Sequence, residues 1–209
     1  MMVVTKSKVI SWLDAAADVF EKKQEFLTDL DREIGDADHG LNMNRGFRKV
    51  KEKLPTLADK DIGTIMKNTG MVLLSTIGGA SGPLYGTFFI KAAETVMAKE
   101  ELTVTDLYHM YQEGTERIIA RGMAHPGDKT MVDTLSAIVA SLKARQDDPL
   151  SSALAETLKA AEQGMKSTIP LRAAKGRASY LGERAIGHQD PGATSSYLLF
   201  KTLCDVVDL

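Results

Sequence analysis

Apolar residues in this 209-residue chain recur at three- to four-residue spacing, and no stretch sustains the period-two alternation of a half-buried strand. Val9, Leu13, Ala16 and Phe20, then Leu27, draw one helix face. Ile62, Ile65, Met66, Thr69, Val72 and Leu73 draw a second, and Leu107, Met110 or Tyr111, Ile118 and Ile119 a third that stops before Gly122. Leu135, Ile138, Val139 and Leu142 mark a fourth, and Leu154, Leu158, Ala161 and Met165 a fifth. The run from Ser195 to Val206 is a sixth, and Asn42–Leu54 and Leu84–Ala98 complete about eight. The expected fold is all-α. At this length one domain is favoured over two, large enough to bury a core without disulfide staples. No linker, repeat or low-complexity tract divides the chain, and Asp147-Asp148-Pro149 reads as a plain loop.

Charge and cysteine content remove several functional classes. The chain has 26 Lys+Arg against 28 Asp+Glu, which argues against a dedicated nucleic-acid binder. Its one cysteine, Cys204, forms neither an internal disulfide nor a cysteine metal cluster, and reads as a small buried hydrophobe. Met1–Ile10 lacks the apolar core of a secretory signal. Asn68–Ile90 is nearly uncharged, but Gly, Ser, Thr and Pro break it too often for a membrane span. The expected location is the cytoplasm, with no membrane partner.

The glycines are unevenly placed: none precedes Gly35, and four fall between Gly78 and Gly86. They mark loops richer in chemistry than connectors need to be. In Leu30–Asn42, Asp31, Asp36 and Asp38 crowd three carboxylates into eight residues. In an extended loop Asp36 and Asp38 would point the same way. A hard cation such as Mg²⁺, which takes carboxylate and phosphate oxygens, would relieve the crowding, and a solvated acidic turn is the alternative. In Ser75–Gly86, Ser81 is placed to cap a helix that Pro83 opens, which would set free N–H groups beside a glycine loop as a phosphate cradle. A close helix crossing that needs glycine is the competing explanation.

Gly122–Met131 nearly spells a P-loop, but Asp128 interrupts it and a helix, not a strand, precedes it. The segment either closes over a nucleotide, with Met131 against a base, or is an ordinary loop. Farther on, Lys175–Tyr180 leads into Gly187–Thr194. Arg177 carries a permanent charge suited to phosphate oxygens, whereas Asp190 serves equally as a helix cap. The four histidines form no i,i+4 pair for zinc; His39, after the Asp cluster, has the best claim to ligand contact. Trp12 and His109 read as structural. No Gly-x-Ser-x-Gly elbow supports a hydrolase.

Taken together, Leu30–Phe47, Asn68–Phe89, Arg121–Met131 and Lys175–Ser195 resemble the ADP-binding L subunits of bacterial dihydroxyacetone kinases. The likeness spans nearly the whole chain and is weakest over Arg145–Ala173. The resemblance implies an antiparallel barrel of eight helices with the nucleotide at one end. It implies that Asp31, Asp36 and Asp38 hold two Mg²⁺ ions bridging to the phosphates of tightly bound ADP or ATP. It also implies that His39, Gly40, Leu41, Asn42, Gly79, Ala80, Ser81, Gly122, Met131, Arg177, Asp190, Pro191 and Gly192 line the nucleotide pocket. No carried-over position departs from the family pattern.

The family has a form fused to a dihydroxyacetone-binding domain and a stand-alone form served by the phosphoenolpyruvate phosphotransferase system. The chain length favours the second. The implied partners are a K subunit holding dihydroxyacetone on a histidine and a phosphohistidine-donating M subunit that turns bound ADP into ATP. Arg177 is the expected catalytic residue, stabilising transition-state charge, and a homodimer is expected. Two other readings use the same pocket: a nucleotide sensor acting on a transcriptional regulator, and a kinase for another carbon skeleton such as a fatty acid.

Overall fold

A computed structural model describes residues 3–207; Met1 and Met2, at the start of the segment read against a secretory signal, lie outside them, as do Asp208 and Leu209. Nine α-helices account for most of it: α1 (Lys6–Lys22), α2 (Gln24–Ile34), α3 (His39–Lys53), α4 (Ile62–Thr76), α5 (Ser81–Glu94), α6 (Val104–Gly122), α7 (Met131–Ala144), α8 (Leu150–Ser167) and α9 (Pro191–Val207). Eight of them form a closed ring. Along the chain α3, α4, α5, α6, α7, α8 and α9 each pack on the next, and α1 closes the circle by packing on both α9 and α3. From α3 to α8 the connections are short, which makes those neighbours antiparallel.

The ninth helix is an addition to the expected eight. The stripe from Val9 to Leu27 is two helices, broken at Lys23, whose φ of -99° and ψ of 6° leave the helical region. No Gly or Pro marks this break, so the spacing ran across it. α2 lies outside the ring, against α3, α9 and the 3₁₀ segment Arg177–Ala185. It thereby brings Asp31 and Ile34, near its C-terminus, to one end of the barrel. The opposite end carries a minimal ladder in which β1 (Val4–Thr5) pairs antiparallel with β2 (Glu101–Leu102).

Rings fill the barrel. Phe20 meets Phe47 at 4.6 Å, Phe47 meets Phe89 at 6.3 Å, and Phe89 meets Trp12 at 6.0 Å. Phe88, Tyr111 and Phe200 continue the chain at 5.4 Å per step. These contacts join α1, α3, α5, α6 and α9 through the interior. Burying each such side chain contributes about 1.5–3 kcal/mol, so the few aromatics sit where each stabilises several helices. Trp12 is buried and donates its indole N–H to the Leu199 carbonyl at 2.9 Å, so it is the core residue expected, and Cys204 is buried too. Among the described residues no helix is long and apolar enough to cross a membrane.

Candidate functional site

In an up-and-down ring every second connection lies at the same end. The loops preceding α3, α5, α7 and α9 therefore meet, and so do the N-termini of those four helices. They surround a cavity of about 340 Å³. Each N-terminus carries N–H groups with no partner inside the helix and the positive end of a helix dipole, about half an elementary charge. Four of them facing one cavity make it suited to a polyanion.

One wall of that cavity is acidic. Asp31, Asp36 and Asp38 each present a carboxylate oxygen, and the three atoms lie within 4.8 Å of one another. Asp31 is held hardest: its Oδ2 accepts the backbone N–H groups of Asp38 at 2.9 Å and His39 at 3.1 Å. Gly35 is required beside it, because a Cβ there would lie 2.0 Å from Asp31 Oδ1. Asp36 and Asp38 are neighbours as expected, but the loop between them is not extended. Ala37, between them, has φ of 60°, and this left-handed turn folds the loop back on Asp31. Asp36 Oδ2 also receives the Arg177 guanidinium at 2.8 Å, so the expected catalytic cation and a metal-type carboxylate already touch. Three convergent oxygens are a donor set that fits a hard divalent cation.

His39 opens α3 and is buried. Its Nδ1 lies 3.2 Å from Ser81 Oγ and its Nε2 2.8 Å from Ser195 Oγ. Burial pushes its pKa down to about 4, against the opposing pull of Asp38, so the ring is neutral, donating through one nitrogen and accepting through the other. Ser195 Oγ also meets the Tyr85 hydroxyl at 2.7 Å, and Tyr85 meets Ser196 Oγ at 3.0 Å. The network locks the starts of α3, α5 and α9 together.

The glycines of this loop divide between the cavity and a close helix crossing. Gly78 and Gly79 line the cavity; Gly79 has φ of 62°, and a Cβ there would meet nothing within 4 Å. Gly82 and Gly86 serve packing: a Cβ at Gly82 would lie 2.2 Å from the Ile77 carbonyl, and one at Gly86 2.7 Å from Leu74 Cβ. Ser81 is not the cap that its position suggested. Ala80 occupies that place, and Ser81 is the first helical residue, with its hydroxyl turned to His39.

α7 begins with a capping box that sequence reading missed: Asp133 accepts the Thr130 backbone N–H at 2.8 Å, and Thr130 Oγ1 accepts that of Val132 at 3.1 Å. Asp190 does cap α9, its Oδ2 accepting the Ala193 N–H at 2.7 Å, and it also lines the cavity. Burial raises its pKa to about 7; Asp133 and Asp31 push the same way, while the Ala193 N–H and Lys129 oppose. Pro191 is the first residue of α9, as its chemistry predicts.

Of the residues expected at the pocket, Asp31, Asp36, Asp38, His39, Gly79, Ala80, Ser81, Met131, Arg177, Asp190, Pro191 and Gly192 line the cavity. Gly40, Leu41, Asn42 and Gly122 lie outside that lining. A Cβ on Gly40 would lie 1.9 Å from the Gln24 carbonyl of α2, Leu41 is exposed on α3, and Asn42 is buried, accepting from Arg45 at 2.8 Å. Lys129, Thr130 and Lys175, from segments already marked, and Tyr85 also line the cavity, though none was named as a site residue.

The DAK2 domain family matches residues 33–205. The chain belongs to the DAK2 domain family. It is 55% identical over 204 residues to the ADP-binding subunit of the phosphoenolpyruvate-dependent dihydroxyacetone kinase of Escherichia coli, with 97% of each chain covered. It is 40% identical to the ADP-binding subunit of the phosphotransferase-system-dependent enzyme of Lactococcus lactis, covering 98% of this chain and 100% of that one. In three dimensions it matches the dihydroxyacetone kinase of C. freundii with a TM-score of 0.74 at 25% identity, covering 96% of this chain but only 34% of that larger one. The same kinase in complex with AMP-PNP and Mg²⁺ matches with a TM-score of 0.68.

Proposed function

We propose that this DAK2 domain is the nucleotide-carrying subunit of a phosphoenolpyruvate-dependent dihydroxyacetone kinase. In this reading ADP stays bound and is rephosphorylated by a phosphohistidine-bearing M subunit. The γ-phosphoryl then passes to dihydroxyacetone held on a separate K subunit. The carrying observation is the meeting, at one cavity, of four helix N-termini with three convergent carboxylates. That combination suits a polyphosphate accompanied by a divalent cation better than either ligand alone. The stand-alone arrangement is supported by relatives matched over nearly their entire length.

Phosphoryl transfer depends mainly on positioning and charge neutralisation. Asp31, Asp36 and Asp38 would hold magnesium, taken here as two ions; when bound, it neutralises phosphate charge and fixes the phosphates in place. Gly78 and Gly79 leave backbone open to the phosphates, and the starts of α5 and α9 present N–H groups. Met131, at the start of α7 and lining the cavity, offers an apolar surface to the base. Arg177 is the group placed to meet charge developing on the transferred phosphoryl group. It is exposed at the cavity wall, where a second subunit can approach. The chain supplies no general base in this reading.

Native mass spectrometry of the purified protein tests the reading. Protein carrying ADP and magnesium, and turning over only when the K and M subunits are added, is the expected result. Protein that takes up no adenine nucleotide in the presence of Mg²⁺ overturns it.

A further inference from the structure

Lys129 is a cation in an unusual place. It is 1% exposed, sits at φ of 62° just before the α7 cap, and makes no ion pair among the described residues. Its ammonium instead donates to three main-chain carbonyls: Thr168 at 2.6 Å, His188 at 2.5 Å and Ile169 at 3.5 Å. An ammonium has three N–H donors, so its capacity is spent on these carbonyls. Burying it costs several kcal/mol before those bonds offset the loss of water. Nonpolar packing would fill the same space at lower cost.

The three carbonyls share one structural role. Thr168 and Ile169 lie where the chain leaves α8, and His188 lies just before it enters α9. Between them runs the strap that carries Lys175, Gly176 and Arg177 to the cavity wall. Lys129 therefore grips both legs of the strap at its neck. The neighbouring backbone reinforces the grip: Asp128 accepts the Ala174 N–H at 3.1 Å, and the legs are tied by Gly187 N–H to the Ile169 carbonyl at 2.8 Å. Among the described residues the body of the strap has few other ties. It rests on a small apolar cluster of Ile34, Ala173, Ala178 and Ala185, with Leu181 packed against it, and on the Arg177–Asp36 pair.

We infer that Lys129 is a positioning residue for the phosphoryl-transfer reaction: it fixes the neck of the 168–190 strap and thereby sets where the Arg177 guanidinium stands in the cavity. The inference deepens the kinase reading and rests on it for its kinetic consequence. The acidic cluster and the glycine loop are carried by α2, α3 and α5, and meet the strap only through the Asp36–Arg177 pair and the packing of α2 on the 3₁₀ segment. Loss of the clamp therefore lowers turnover more than nucleotide retention. A misplacement of 1 Å at a reacting centre costs on the order of 100-fold, so a fall in kcat of about 10- to 100-fold is expected.

The test compares wild type, Lys129→Met and Lys129→Ala in the reconstituted three-subunit assay, with ADP retention by native mass spectrometry and hydrogen exchange over residues 170–187. Lys129→Met keeps the stem and removes the donors. Lys129→Ala leaves room for added propylammonium, whose three carbons and ammonium replace what the substitution removes beyond Cβ. The expected result is kcat down at least about tenfold, the KM for the K subunit's substrate changed less than threefold, ADP retained, exchange of the strap accelerated, and Lys129→Ala partly rescued by propylammonium. Lys129→Met with wild-type kcat and strap exchange overturns the inference. So does loss of turnover matched by equal loss of ADP and unresponsive to propylammonium, which marks a general folding role. A wild type that neither holds ADP nor turns over fails the kinase reading itself, and the kinetic role of Lys129 falls with it. Strap exchange then separately decides the clamp.

Discussion

Replacing Asp38 with Asn should make the metal-free protein more stable and the magnesium-loaded protein less responsive. Asp38 has two like-charged neighbours, Asp31 and Asp36, with carboxylate oxygens inside 4.8 Å. At that distance one pair of unit charges repels by about 0.9 kcal/mol in bulk water and about 3.5 kcal/mol at the effective dielectric of a protein surface. Arg177 offsets part of the charge on Asp36, and Asp38 is half-buried, so its net relief on neutralisation is about 1–3 kcal/mol. For a domain of this size that raises the melting temperature by about 2–10 °C in EDTA. Asp38 caps no helix through its side chain, so no structural bond is lost against this gain. Magnesium reverses the benefit. At 100 times its dissociation constant a ligand stabilises by about 2.7 kcal/mol, and a 100-fold loss of affinity reduces that to about 0.4 kcal/mol at the same concentration. Thermal melts of both proteins in EDTA and across a magnesium titration, with ADP present and absent, read both effects. A lower melting temperature in EDTA, or an undiminished magnesium shift, would refute the assignment of this cluster as a cation site held against its own repulsion.

Three further outcomes follow from the same geometry. Arg177→Ala should cost under about 1 kcal/mol of stability, since its pair with Asp36 is half exposed, and should leave ADP bound while turnover falls; unchanged turnover would remove Arg177 from the reaction. Gly82→Ala drives a Cβ to 2.2 Å from the Ile77 carbonyl and should destabilise by about 1–3 kcal/mol with loss of nucleotide. Gly79→Ala meets no neighbour and should cost only the left-handed backbone penalty of about 1–2 kcal/mol, so denaturant melts that rank the two the other way count against the packing role of Gly82. Tyr85→Phe removes bonds of 2.7 and 3.0 Å to Ser195 and Ser196 and should cost about 1–3 kcal/mol in urea unfolding, more than Tyr180→Phe on the exposed strap, which is the control.

Helix formation was legible because each helix buries one stripe, and a stripe leaves a period in the sequence. The break at Lys23 was not, because it needs only one residue outside helical geometry and neither flank changes composition. The acidic cluster was legible as a crowd of charge within eight residues, since local charge density is written in order along the chain. How that crowd converges was not: it depends on one left-handed alanine, Ala37, a residue that rarely adopts that conformation. The glycines were legible as special but not separable. Whether Gly79 or Gly82 faces a ligand or a carbonyl depends on which atoms the other helices bring near.

Lys129 shows the limit most clearly. Asp128 and the helix before it already set its segment apart from a P-loop, and no feature of the sequence shows that its ammonium is consumed by carbonyls 39 and 59 residues away. Main-chain carbonyls are present at every residue and carry no sequence signature, so no pattern could have pointed to them. The sequence alone determined that this chain is helical and which loops hold its charges and small residues, because burial periodicity and local composition are one-dimensional properties. Closure of the ring decided the rest: it set four distant helix starts around one cavity and turned a motif lysine into the clamp of a strap, since only packing brings such groups together.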